Sequence, residues 1–128
     1  MILLLNTHLL LWAAYEPDKL SADAVATIED RANTLLFSAA SIWEIAIESG
    51  LGRDDFRVDA HVVRRGLLEA GYEELAVSGV HGAAVAELPA VHRDPFDRIL
   101  VAQARQEGAI LLTADSAVAA YGPPTRLI

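Results

Sequence analysis

Cysteine is absent from the 128 residues, which excludes a disulfide framework, thiolate metal ligands and a cysteine nucleophile. The absence fits a reducing compartment, and the bacterial cytosol is the expected location. Lysine is nearly missing as well: Lys19 is the single one, and the remaining bases are arginines. With 18 acids against 10 bases the formal net charge is -8, so long-range electrostatics repel nucleic acid and argue against a simple DNA-binding module. An enzyme acting on nucleic acid is still allowed, because bound divalent ions offset clustered acids and local arginines can hold a backbone. No apolar run reaches the roughly 20 residues that span a bilayer, so a soluble protein is expected. The apolar opening, MILLLNTHLLLWAAY, lacks a basic start and is interrupted by Asn6, Thr7 and His8, and therefore reads as a strand followed by a helix rather than a signal segment. Also missing are a glycine-rich phosphate loop, a G-x-S-x-G elbow and a pair of histidines on one helix face.

What is present is a single alternating unit covering residues 1–128, with no repeat and no linker. Residues 2–5 form an unbroken apolar run, the pattern of a strand buried on both faces. Further strands are predicted at 35–37, 73–77 and 109–112, with a possible fifth at 125–128. Between them the apolar spacing and punctuation predict helices over 7–15, 21–32, 39–50, 58–70, 78–88 and 95–106. Asp94 followed by Pro95 is a cap-plus-first-turn start signal, and Gly108 a stop. The 39–50 helix, apolar on most sides, is expected to be largely buried. Buried strands alternating with helices imply an α/β three-layer fold, a central parallel sheet of four to five strands flanked by helices. Ligands of such folds bind beyond the carboxyl ends of the strands.

That topology brings four polar positions to one sheet edge: Asn6, Glu44, Asp97 and Asp115. Clustered carboxylates with hard oxygen donors suit Mg2+ or Mn2+ better than zinc. Each position also has an ordinary explanation. Glu44 shares a helix face with Ser41 and Glu48 and would simply be solvated. Asp97 would complement the positive helix terminus, Asp115 would cap a helix, and Asn6 would be a turn residue or cap. The group is more informative than its members. His8, His61, His81 and His92 have no metal-ligand spacing and are assigned structural or solvated roles.

Together, LLLNTH at 3–8, SIWEI at 41–45, HRDPFDR at 92–98 and LTAD at 112–115 resemble the motifs of PIN-domain ribonucleases, in particular VapC-type toxins of bacterial toxin–antitoxin systems. The resemblance runs over nearly the whole chain, in order. It implies a metal-dependent endoribonuclease acting on RNA, often tRNA or ribosomal RNA, with Glu44, Asp97 and Asp115 as acidic catalytic and metal-binding residues. It puts Asn6 in the place of the first aspartate, so this copy is expected to be weakened or inactivated. Thr7 matches the hydroxyl residue after the first acid, while Glu48 stands near where a lysine is expected. The resemblance further implies Mg2+ or Mn2+ as cofactor, a cognate VapB-like antitoxin, and a homodimer or toxin–antitoxin hetero-oligomer. Trp12, Trp43 and Ile47 are expected to help form an apolar groove for that antitoxin, and Arg53, Arg57, Arg64, Arg65 and Arg98 are candidates for phosphate contacts. The remaining acids being intact, an engineered or recent Asp-to-Asn change is the favoured origin of Asn6. Two other readings compete: a catalytically silent antitoxin-binding module, supported by Asn6, and a receiver or phosphatase-like domain, disfavoured because the first strand ends without an aspartate nucleophile.

Overall fold

Strand β1 (Ile2–Leu5) lies at the centre of a five-stranded, wholly parallel sheet of order β3-β2-β1-β4-β5, with β2 at Thr34–Ser38, β3 at Glu73–Leu75, β4 at Ile110–Thr113 and β5 at Thr125–Leu127. Leu4 pairs with Leu36 on one side and Leu111 on the other, which leaves β1 no solvent-facing edge and accounts for its unbroken apolar sequence, an isoleucine followed by three leucines. The computed structural model describes residues 1–51 and 57–128. Among them are seven α-helices: α1 (Thr7–Tyr15), α2 (Ala22–Glu29), α3 (Ala39–Gly50), α4 (Ala60–Glu69), α5 (Gly79–Ala84), α6 (Pro95–Glu107) and α7 (Ser116–Ala119).

Successive side chains of a strand point to opposite faces, and the two cores follow that rule. Leu3, Leu5 and Leu112 pack with Leu9, Leu10, Phe37, Ile45, Val63 and Leu67 on one face. Leu4 and Leu111 pack with Leu100, Val101, Ala104, Val118 and Tyr121 on the other. The sheet is thus the middle of three layers, as expected for an α/β chain of this pattern.

Helix α6 starts and stops where the sequence says it should. Asp94 accepts hydrogen bonds from the backbone N–H of Phe96 and Asp97 at 2.8 and 3.2 Å, Pro95 occupies the first turn, and Gly108 closes the helix in the left-handed region with φ 65°. Other boundaries differ. Helix α2 ends at Glu29, short of the predicted 32, because Asp30 turns the chain by accepting from Ala32 N at 2.9 Å. Strand β3 stops at Leu75, two residues early, and Gln103 of α6 takes the Ala76 carbonyl at 3.3 Å. The 78–88 segment is a six-residue helix that tightens into a 3-10 turn over Val85–Glu87.

The expectation for α3 requires correction. Only Ala40, Ser41 and Ile45 are buried, whereas Trp43 and Ile47 are 64% and 40% exposed. A narrow stripe faces the sheet and the rest of an apolar helix surface faces outward.

Candidate active site at the carboxyl edge of the sheet

The chain crosses from β1 to β2 and β3 on one side of the sheet and returns to β4 and β5 on the other. Beyond the carboxyl ends of β1 and β4 is the crevice such a reversal leaves, where α/β folds place ligands. Asn6 follows β1 directly, and Asp115 stands two residues past β4. Ser38, at the end of β2, caps α3 by accepting from Ala40 N at 3.0 Å, which sets Glu44 in the second turn of that helix. The Asp94 cap does the same for Asp97 in the first turn of α6.

Asn6 is 2% exposed and fully engaged. Its Oδ1 caps α1 by accepting from Leu9 N at 3.1 Å, and its Nδ2 donates to the Thr113 hydroxyl at 3.0 Å. That same hydroxyl accepts from the backbone N–H of Asp115 at 3.0 Å, so Thr113 ties the first and last candidate positions together. Thr7 donates to Glu44 Oε1 at 2.6 Å and lies 2.9 Å from the buried Ser41 hydroxyl. The supporting role expected of Thr7 therefore has a definite form: it orients the Glu44 carboxylate. Asp97 Oδ2 is 2.8 Å from His92 Nε2. Asp115 is exposed, and its Oδ1 caps α7 through Ala117 N at 2.8 Å, so its ordinary reading holds alongside any catalytic one.

Electrostatics bind these residues into one site. Burial raises the Glu44 carboxyl above its ordinary value, and the nearby charges of Asp94 and Asp97 add to the rise, against the Thr7 hydrogen bond. Burial likewise raises Asp97, reinforced by Asp94 and Asp115 and opposed by His92. A carboxylate raised in the fold binds more protons there than in the unfolded chain, so stability falls as pH rises from the ordinary values of 3.8 and 4.5 through the raised ones. Glu44→Gln is accordingly expected to raise the melting temperature at pH 7 in metal-free buffer and to lessen that fall. A calorimetric melting series run upward from the ordinary carboxyl values to pH 7 checks it, and a lower melting temperature at pH 7 would refute the assignment.

The histidines divide. His8 and His61 are exposed, and His81 is buried in a capping box with Ser78 and bonded to Glu107 at 2.9 Å, all in keeping with structural or solvated roles. His92 does not fit that assignment, because it belongs to the site. Among the described residues, His92, Asp94 and Asp97 are the one group of three whose metal-ligating atoms all lie within 4.8 Å of one another. The missed signal was its place five residues before Asp97, in a segment already singled out.

The candidate arginines divide, two of them being engaged within the chain. Arg98 is no phosphate contact: its guanidinium is spent on the carbonyls of Val85, Pro89 and His92 and on the Tyr121 hydroxyl. Arg64 pairs with Glu74 at 2.7 Å on the β3 side of the sheet. Arg65 is exposed on α4, Arg57 lines a depression with His8, Trp12 and Lys19, and Arg53 lies outside the described residues. The tryptophans also part: Trp12 lines that depression, while Trp43 stacks edge-on against Phe96 at 5.2 Å in another of about 790 Å³.

Among solved structures, the chain is similar to VapBC2 from Rickettsia felis bound to a DNA fragment from their promoter, with 17% identity, a TM-score of 0.72, and coverage of 100% of this chain and 98% of that one. It is similar to VapBC-1 from nontypeable Haemophilus influenzae at 15% identity and a TM-score of 0.68, covering 100% and 97%. It is similar also to FitAcB from Neisseria gonorrhoeae at 17% identity and a TM-score of 0.62, covering 94% and 92%. These likenesses carry the fold. No curated protein matches the sequence significantly. Residues 3–122 match the PIN domain family, nearly the full length, and the chain belongs to that family.

Proposed function

We propose that this chain is the toxin of a toxin–antitoxin pair, a metal-dependent endoribonuclease that hydrolyses RNA phosphodiester bonds and is weakened by Asn6. The observation that carries the reading is the pair Glu44 and Asp97, each pushed up by burial first and by neighbouring acids second. Such a set is unfavourable on its own and becomes favourable around a divalent cation. The donors are oxygens, which fits Mg2+ or Mn2+. Glu44, Asp97 and Asp115 would hold the ion, with Asn6 offering at most a neutral amide oxygen. A bound Mg2+ or Mn2+ supplies Lewis-acid polarisation of the scissile phosphate and lowers the pKa of the attacking water.

The chain's own residues supply orientation. Thr7 fixes Glu44, the α6 terminus and His92 fix Asp97, and Thr113 joins position 6 to the backbone at Asp115. Asn6 leaves the site one negative charge short of the four acids the resemblance implies, and its Oδ1 already serves as a helix cap. Metal affinity and rate both fall for that reason. Solved structures of similar fold include VapBC2, VapBC-1 and FitAcB, which supports a VapB-like antitoxin as partner and a hetero-oligomeric or dimeric assembly.

The test is RNA cleavage by the chain with Mg2+ or Mn2+, on a panel that includes tRNA and ribosomal RNA. Slow cleavage is expected, abolished by EDTA and reduced a further roughly 100-fold or more by Asp97→Asn, the scale of losing one electrostatic stabiliser in a preorganised site. Cleavage indifferent to EDTA and to Asp97 would overturn the proposal. The silent-module reading has the engagement of both Asn6 amide atoms in its favour, and it predicts no cleavage alongside undiminished antitoxin binding.

A further inference from the structure

We infer that His92 is a positioning residue for Asp97, and that Arg98 and Tyr121 hold it in place from outside the site. The inference rests on the metal-dependent reading above and adds residues to it. His92 sits 2.8 Å from Asp97 Oδ2 through Nε2, with side chains 27% and 18% exposed, so the contact is shielded without being sealed. At that distance a neutral imidazole carrying its proton on Nε2 donates to the carboxylate. It occupies one oxygen and leaves the other for a second partner, the arrangement by which a metal-ligating carboxylate is kept in a single orientation.

His92 is not on a helix or strand, and something must fix it. Its carbonyl accepts from the Tyr121 hydroxyl at 2.9 Å. Arg98 Nη1 lies 3.0 Å from the Pro89 carbonyl, 3.3 Å from the His92 carbonyl and 3.0 Å from the Tyr121 oxygen, while Nη2 reaches the Val85 carbonyl at 3.2 Å. Arg98 is the residue after Asp97 on α6, and Tyr121 is 6% exposed beyond α7. One guanidinium and one phenol thus bind three carbonyls of the segment leading into α6. Three polar contacts on the irregular segment, with a fourth on the 3-10 turn before it, exceed what capping α6 requires, since Asp94 already does that. The clamp ties the backbone carrying His92 to the helix carrying Asp97, so the two side chains move as one unit.

The experiment is Mn2+ titration by electron paramagnetic resonance on the full chain and on its Asn6→Asp form, with thermal melting as a control for folding. His92→Ala is expected to weaken Mn2+ binding about 10- to 100-fold, the range for removing an outer-shell partner of a ligand. His92→Gln, whose amide nitrogen reaches about as far as Nε2, is expected to recover most of it. Tyr121→Phe is expected to weaken binding less, and to add nothing in the His92→Ala background. Unchanged affinity in His92→Ala beside a loss in Asp97→Asn would overturn the inference and leave the hydrolytic reading standing. A nitrogen hyperfine coupling from directly bound imidazole would overturn it too, by making His92 a ligand. Fully additive losses for His92 and Tyr121 would contradict the clamp. No Mn2+ binding by either form would remove the metal-dependent reading, and the inference with it.

Discussion

Asn6→Asp is expected to raise metal-dependent RNA cleavage by roughly 100- to 1000-fold, the scale on which one preorganised charge acts in a catalytic site. The local structure is ready for the exchange. Leu9 N–H, 3.1 Å from Oδ1, binds a carboxylate oxygen as well as an amide oxygen. Thr113 now accepts from the amide, and with a carboxylate present its hydroxyl turns to donate, while its other lone pair keeps the Asp115 N–H. A negative charge at the start of α1 also gains about 0.3–1 kcal/mol from the helix terminus, which offsets part of the added repulsion from the acids of the site. The substitution therefore changes charge with little change in shape. Cleavage rates compared under saturating Mg2+ check it, and equal rates for the two forms would remove position 6 from the machinery.

Phe37→Ala is expected to cost about 3–5 kcal/mol in urea denaturation, the usual range for a large aromatic deleted from a packed core. Phe37 is 0% exposed and packs among Leu3, Leu5, Leu9, Leu10, Ile45 and Leu112, in the layer that joins α1 and α3 to the sheet. It also stands next to Ser38, whose cap places Glu44, so the damage reaches the site through the start of α3. Trp43→Ala is the contrast: a larger side chain, 64% exposed, touching Phe96 edge-on, expected to cost only about 0.5–1.5 kcal/mol. Equal losses for the two variants would mean that Trp43 on α3 is packed as deeply as Phe37 on β2, against the exposure assigned to that outer helix face.

The parts of the fold that could be read in advance were those where local chemistry and tertiary demand coincide. A short apolar run of four residues ended by Asn6 suits a central strand, and Asp-Pro at one end with Gly at the other leaves α6 little freedom. The burial of α3 was misread because apolar residues around a helix do not say which of them meet the core. Its exposed stripe, with Trp43 and Ile47, looks the same in sequence as a buried one. Strand β3 was overextended because Ala76 and Val77 have strand-like character, while a side chain from α6 takes the Ala76 carbonyl.

The site followed the same division. Asn6 and Asp115 stand just past strand ends and Glu44 and Asp97 in early helix turns, and strand ends and helix starts are readable in sequence. Their supports were not. No ligand spacing marks His92, because an imidazole bonded to a carboxylate obeys no such spacing. Arg98 was taken for a phosphate contact because no sequence pattern distinguishes an arginine facing solvent from one spent on backbone carbonyls.

Anomalous scattering from crystals of the Asn6→Asp form soaked in Mn2+ tests the central claim most directly. The account predicts a peak among the carboxylates of Glu44, Asp97, Asp115 and position 6, at the carboxyl edge of β1 and β4. A well-ordered peak away from these residues, or none at saturating Mn2+ with the crevice open to solvent, would contradict it.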